Sequence, residues 1–500
     1  MKIKRMGDLS TGTILSMIVT VFRLNSEYQV SLPSVCEMPN LKSILQSGKF
    51  PRFKWISLFS FLVFVVFPNT EAFSETLQNS VESALLYNPQ VENASAGYFA
   101  AEEGINEARA GLYPDVEVNV QGGRFYADTT TTRAQTVSRG AAYSGLFEAS
   151  LTVRQPLFDG METFRRMDAA QARAGSADLS IENVRESLAI EVVRSYIDVL
   201  RTRKTLEMLE SQKTEMQDFK NRIERSVNQA AASESELLQA EEIMLQLQNI
   251  ETGLIRDLRS AEARFAELTG YFPPENLVQP ERKTNLVPED LQDAILYARQ
   301  NHPEIKALKL EALAADHDVK AEKGTFLPDI NTELTYLERD QSDTVGGETL
   351  DARALLKASW TFNVGGRVKA RARRAEFAHK QALASTRQTI RRIEREIREA
   401  FSIVKSAQRQ QDILLQTADK KKRLLETFRS QFEGGNVTLV QLMQATNQMF
   451  KSRRDLMAVE YQLMQAEYFV IGRTGRLRDA LYNVAVLDDG KPEKMKGAPE

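Results

Sequence analysis

Side chains that commonly carry out chemistry are few and scattered in this sequence. It contains one cysteine, Cys36, and three histidines, His302, His317 and His379, which lie in stretches of helical composition. A single cysteine excludes an intramolecular disulfide and a zinc site built from cysteines. Histidines spread in this way are usually solvated or half-buried helix residues, and the sequence has no glycine-rich phosphate loop and no serine–histidine constellation. We therefore predict no catalytic residue, no cofactor, no metal site and a protein that is not an enzyme.

Polar residues and turn formers gather instead at two predicted helix–turn–helix tips. In the stretch EGGNVTLVQLMQA, Gly434 and Gly435 can turn the chain after Phe432, and Thr438 can cap the helix that follows. The other tip, VNQAAASESELLQA, has no glycine and carries two acidic residues where its second helix begins. These tips are the parts of the sequence with the clearest candidate functional residues.

The N-terminal region has the layout of a secretory signal. An apolar core at 55–67 follows three basic residues within 49–54, and it is too short to span a bilayer as a helix, which takes about 17–25 residues. Small residues follow, and we expect cleavage between Ala72 and Phe73, so that 1–72 forms an N-terminal extension and signal peptide. An uncleaved N-terminal anchor helix is the alternative. The net charge of −3 gives no electrostatic footprint for nucleic acid.

The chain contains an internal duplication. Two exits from helical into alternating sequence, at Pro114-Asp115 and Pro328-Asp329, lie 214 residues apart. At that spacing, seven identical pairs between Glu75 with Glu289 and Ala101 with Ala315 align without an insertion or deletion. The period is far longer than the ~20–50 residues of a solenoid repeat. A whole structural half is therefore duplicated.

Each half reads as helix, strand, strand and helix. We predict a first repeat over 73–272, a linker over 273–288, a second repeat over 289–475 and a tail over 476–500 that is disordered at its end. The predicted strands are at about 114–125, 145–157, 328–338 and 353–363, the last carrying Trp360 and Phe362. The predicted helices are 75–111, 161–228, 233–268, 289–324, 367–432 and one that ends near Thr474.

These lengths constrain the fold class, which we predict as mainly α with membrane β. A helix over 161–228 or 367–432 would be about 100 Å long, deeper than a globular core. Strands of about ten residues suit a tilted transmembrane strand, but an open sheet edge cannot face lipid. The four strands must then be shared with other copies of the chain. A periplasmic coiled-coil protein with small β-subdomains is the alternative.

The motifs resemble those of the TolC family of outer-membrane channel-tunnel proteins over about 75–475. The resemblance rests on NPQV and HPEI, the Pro-Asp exits, RQPLFDG, SYIDVLRTRKTLEML and EGGNVTLVQLMQA. It implies a homotrimer in the cell outer membrane, with a shared 12-stranded β-barrel in lipid and a coiled-coil tunnel in the periplasm. The implied partners are a periplasmic adaptor and an inner-membrane ABC or proton-driven transporter.

Within this family, SLTVRQPLFDGMETFRRMDAAQARA looks especially like members that serve type I protein secretion. Small-molecule efflux remains the alternative. A periplasmic adaptor, which also has long hairpins, would carry a single hairpin without tandem duplication.

The resemblance also implies roles for the tips, where such tunnels constrict and adaptors dock. The pore-entrance candidates are Phe432, Gly434, Gly435 and Thr438 at the turn, together with Gln441 and Gln444. These two glutamines stand where the best-known members have two aspartates. Glu234 and Glu236 are candidates for adaptor contact. The plainer alternatives are that the glutamines are ordinary tunnel-wall residues and that the two glutamates are solvated acids at a capped helix start.

Overall fold

The computed structural model describes residues 75–128, 141–341 and 348–481. The predicted signal peptide, the cleavage residues Ala72 and Phe73, and the end of the predicted tail lie outside them. The helices are α1 Leu77–Tyr87, α2 Pro89–Ala110, α3 Glu162–Asn228, α4 Glu234–Thr269, α5 Leu291–Asn301, α6 Pro303–Gly324, α7 Arg367–Glu433, α8 Leu439–Arg473 and α9 Leu477–Leu481. The strands are β1 Asp115–Asp128, β2 Ala141–Phe158, β3 Asp329–Gln341 and β4 Glu348–Ser359. The predicted fold class, mainly helical with a four-stranded sheet, is confirmed.

The four strands form one antiparallel sheet in the order β1-β2-β3-β4. The central pair, β2 with β3, joins the two repeats, and β1 and β4 are the edges. Placing Trp360 and Phe362 in the last strand was wrong, because β3 begins at Asp329 opposite Ser359 and offers no partner beyond it. The Trp360 indole N–H instead donates to the carbonyl oxygen of Phe326 at 3.0 Å.

The two faces of the sheet differ in polarity. Val118, Leu151 and Tyr336 are directly opposite one another on adjacent strands and are all exposed. On the other face, Glu148 pairs with Arg339 at 2.6 Å. Successive residues of a strand point to opposite faces, so the alternating sequence produces one apolar and one polar surface.

The predicted helices 75–111 and 289–324 are each broken in two, which corrects the prediction of single helices. The breaks fall at Asn88-Pro89 and His302-Pro303. Proline has no N–H for the preceding turn and disfavours helical geometry in the residue before it. Asn88 and His302 then cap the next helix, accepting hydrogen bonds from the N–H of Gln90 at 2.9 Å and of Glu304 at 3.2 Å.

His302 is buried among charged residues at this break. Burial lowers its pKa from 6.5 to about 4, and Glu304, Arg473, Arg392 and Glu396 add smaller, opposing effects on that pKa. The ring is therefore neutral at pH 7, which leaves Nδ1 free to accept the capping hydrogen bond.

The two longest helices, α3 and α7, have 67 residues each and so extend about 100 Å. They form hairpins with α4 and α8, and α3 also packs along α6 and α8. Among the described residues, no helix has a stretch both long and apolar enough to cross a lipid bilayer.

The segment between the repeats contacts the middle of α3 and the C-terminal part of α8. The Tyr196 hydroxyl donates towards the carbonyl oxygens of Glu75 and Val278, at 2.8 and 2.6 Å. Arg282 pairs at 2.5 Å with the carboxylate of Glu467, whose side chain is only 1% exposed. At the other end of the second repeat, α9 packs on α3, where the Leu477 N–H donates to Glu186. The predicted tail therefore begins with a packed helix.

Candidate functional site at the hairpin tips

The second tip, between α7 and α8, is a glycine-terminated helix end. Gly435 has a left-handed backbone with φ +77°. Its N–H donates to the Phe432 carbonyl at 3.0 Å, and the Asn436 N–H donates to the Gln431 carbonyl at 2.9 Å. These two bonds satisfy carbonyls that the last helical turn leaves without a partner. Phe432, in the last turn of α7, and Gly434, directly after that helix, are both exposed.

Thr438 begins α8 with a reciprocal cap. Its hydroxyl accepts from the Gln441 N–H at 3.3 Å, and the Gln441 side-chain oxygen accepts from the Thr438 N–H at 3.0 Å. This is the capping box, which occupies two of the helix's unpaired donors. The Gln441 amide is therefore held in place by its own helix start while remaining exposed to solvent.

The first tip, between α3 and α4, has the same geometry built from different residues. Ala230 has the left-handed conformation, with φ +55°, and the N–H groups of Ala230 and Ala231 make the two helix-ending bonds at 2.9 and 2.8 Å. Ser233 caps α4 in a box with Glu236, whose carboxylate accepts from the Ser233 N–H at 3.1 Å. Glu234 is exposed on the first turn.

The two tips are brought together side by side. The Gln444 amide donates to the side-chain oxygen of Gln239 at 3.1 Å, and Arg429 lies 3.5 Å from Glu215 between the long helices. Behind them, buried residues of all four helices form one cluster that includes Met216.

Gln239 was missed in the sequence analysis. It occupies the same place relative to Ser233 that Gln444 occupies relative to Thr438, six residues into each tip. Aligning the two tips on their capping residues would have found it.

Ion pairs stabilise the helix hairpin above the first tip. Lys213 lies 2.8 Å from Glu251 and 3.5 Å from Glu210. The hydrogen bond from Lys213 holds the pKa of Glu251 below its usual value. Within the described ranges, no group of three or more His, Cys, Asp or Glu residues is placed to hold a metal ion.

A groove lies at the opposite end of the helices, close to the sheet. It has a volume of about 750 Å³ and is lined by α2, α3, α6 and α7. Its charged residues include Arg166, Arg173, Arg374, Asp318 and Glu322. Arg173 and Asp318 form an ion pair across α3 and α6, so this wall presents charges of both signs.

Comparison with known proteins identifies the architecture. The model of the outer membrane efflux protein family matches residues 80–271 and 295–472, one segment in each repeat. The outer membrane efflux protein BepC of Brucella suis is 22% identical, over 81% of this chain and 86% of its own. The alkaline protease secretion protein AprF of Pseudomonas aeruginosa is also 22% identical, over 81% and 85%. The crystal structure of the Campylobacter jejuni CmeC outer membrane channel superimposes with a TM-score of 0.70 at 17% identity, over 80% of this chain and 86% of that one.

Proposed function

The chain belongs to the outer membrane efflux protein family, and on that premise we propose that three copies close their sheets into one twelve-stranded barrel. The observation that carries this proposal is that β1 and β4 each have only one neighbouring strand among the described residues, on a sheet with one apolar face. Backbone groups at an open edge cannot be left unpaired in lipid. Pairing β4 of one copy with β1 of the next removes every edge, and twelve strands are enough for an open bore.

The protein is an outer-membrane channel with a periplasmic tunnel. We propose that its cargo is protein, passed on from a periplasmic adaptor and an inner-membrane ABC transporter in type I secretion. The likeness to AprF supports this proposal. BepC is equally similar, and its likeness favours the second candidate, efflux of small molecules with an inner-membrane pump.

Deleting the gene and comparing two phenotypes separates these candidates. Loss of a defined set of large proteins from the culture medium, measured by mass spectrometry, is expected for protein secretion. Increased sensitivity to drugs and detergents with an unchanged set of exported proteins would instead establish efflux and refute our choice of cargo. Complementation with the intact gene is the control.

We also propose that Gln441 and Gln444 face the narrow entrance of the tunnel, where each would recur three times. Neutral amides do not concentrate cations, whereas a ring of carboxylates would. We expect multivalent cations added from the periplasmic side to inhibit conductance only weakly in a planar bilayer. The double variant Gln441→Asp/Gln444→Asp should gain inhibition that weakens as salt rises. If cation inhibition of the double variant is no stronger than that of the unsubstituted protein and its trimer is less stable, these residues would instead face a neighbouring helix.

A further inference from the structure

A helix contact within the chain shows how an uncovered face of the equivalent helices could be packed. Helices α3 and α7 have equal length, and each is preceded by a left-handed residue, Met161 or Gly366, so their residues correspond at a spacing of 205. Helices α2 and α6 have 22 residues each and correspond at a spacing of 214. Within one chain, α6 packs along both α3 and α7, while α2 packs along α3.

The α3–α6 contact, which we call the inner seam, defines the template. Ala169, Ala172 and Ala314 form a small buried cluster there. The Asp168 carboxylate lies 3.5 Å from Nδ1 of His317. Further along, the Ser176 hydroxyl donates to the backbone of α6. One face of α3 is thus covered by one face of α6.

The equivalent faces of α7 and α2 are not covered by any part of the chain that the structure describes. On α7 they comprise Arg373, Arg374, Phe377, Ala378 and Gln381, all exposed, with Phe377 at 66%. On α2 they comprise Asn93, Ala96, Ala100 and Glu103, also exposed. The positions that are buried between α3 and α6 therefore occur a second time in the chain, with different side chains and, among the described residues, without a covering helix.

The charges of these two faces are complementary. Arg373 of α7 is at the position equivalent to Asp168 of α3, and Glu103 of α2 is at the position equivalent to His317 of α6. In the geometry of the inner seam, this arginine would lie opposite this glutamate. Glu103 accepts a hydrogen bond from Asn106 on its own helix. The hydrogen bond from Lys323, and to a lesser extent the charge of Arg373, lowers the pKa of Glu376, which lies on the same helix as Arg373. Within the described part of the chain, neither Glu103 nor Arg373 forms an ion pair within 4 Å. Phe377 and Ala100 take the places of Ala172 and Ala314.

We propose that α7 of one copy packs against α2 of the next in the geometry of the inner seam, with Arg373 paired to Glu103 of the neighbouring copy and Phe377 packed on its Ala100. The occupant of the uncovered face is a second copy of this chain, because the internal repeat supplies both the fitting surface and the opposite charge. The inference rests on the proposed trimer and specifies the residues that join its subunits below the barrel.

Disulfide cross-linking tests the contact with a matched control. In a Cys36→Ser background, the pair Ala100→Cys and Phe377→Cys should give covalent dimers and trimers on oxidation. The equivalent pair Ala314→Cys and Ala172→Cys should cross-link within one chain and leave the mass unchanged. Monomers alone from the first pair, in a preparation that runs as a trimer before denaturation, would overturn the contact while leaving the proposed function intact.

Charge reversal tests the ion pair separately. Arg373→Glu and Glu103→Arg should each raise the rate of trimer dissociation in detergent by about tenfold, since like charges facing each other at an interface are repulsive. The double reversal should restore the original rate, and Arg256→Glu, on the exposed surface of α4, should leave it unchanged. Additive damage in the double variant would refute the pairing. An unsubstituted protein that is monomeric would refute the proposed function itself.

Discussion

Replacing Ala230 by glycine should stabilise the first tip, and replacing Gly435 by alanine should destabilise the second by a similar amount. Both residues have a left-handed backbone and make equivalent helix-ending bonds. That conformation costs a residue with a Cβ about 1–2 kcal/mol. Glycine in turn costs about 0.5–1 kcal/mol in chain entropy. The difference leaves about 0.7 kcal/mol in favour of glycine, or about threefold in a local opening equilibrium.

The structure leaves little else to change at either position. Ala230 is exposed, so its methyl group contributes no buried contact. A Cβ added at Gly435 would have nothing within 4 Å. The expected effect therefore comes from the backbone conformation itself, and it should have opposite signs in the two variants.

Hydrogen exchange of the detergent-solubilised protein measures this effect directly. Amides at 227–232 should exchange about threefold more slowly in Ala230→Gly, and amides at 431–436 about threefold faster in Gly435→Ala. Ala231→Gly is the control, because Ala231 is outside the left-handed region and glycine there should only speed exchange. If Ala230→Gly behaves like Ala231→Gly, the argument from left-handed strain is refuted.

Two further predictions concern Gly160, between β2 and α3, and His302, between α5 and α6. A Cβ at Gly160 would lie 2.2 Å from the carbonyl oxygen of Gly324, so Gly160→Ala should abolish recovery of folded protein from outer membranes. The control is Gly253→Ala, which should not do so because a Cβ there meets open space. In the folded protein the pKa of His302 is lowered from 6.5 to about 4 by burial. Between these two pH values the imidazole is protonated in the unfolded chain but not in the folded one. The free energy of unfolding should therefore fall by up to about 3 kcal/mol as the pH drops from 6.5 to about 4. The variant His302→Asn, which has the residue found at Asn88 of the first repeat, should keep the helix cap and lose the part of the pH dependence that His302 causes. Thermal unfolding at pH 7 and 4.5 measures this change. An unchanged pH dependence would show that His302 is not its source.

The architecture was predictable because its signals are local and occur twice. Helical and alternating periodicity, the Pro-Asp exits and the glycines after Phe432 all act through backbone geometry within a few residues. Asn88-Pro89 and His302-Pro303 carried an equally local signal for a helix break, and the prediction of single helices did not use it.

The remaining features depend on tertiary partners. The end of β4 at Ser359 is set by where β3 begins, although alternation continues through Trp360 and Phe362. The left-handed Ala230 has no signature of its own, since alanine favours helices. The hydrogen bond between Gln444 and Gln239 requires the two tips to lie side by side. The sequence therefore predicts Gln444 as a candidate residue but not Gln239 as its partner.

The proposed trimer gives a physical reason why equivalent helix faces of the two repeats carry different residues. The inner seam forms as each chain folds, so alanines such as Ala169 and Ala314 are covered at once. The α7–α2 contact would stay exposed until a second copy arrives, and its apolar part, Phe377 with Ala100, would favour unspecific association if no charges flanked it. Arg373 and Glu103 keep these faces hydrated in the single chain and attract the correct neighbour when it approaches. The same packing geometry can thus serve within a chain and between chains, with charge deciding which helices pair.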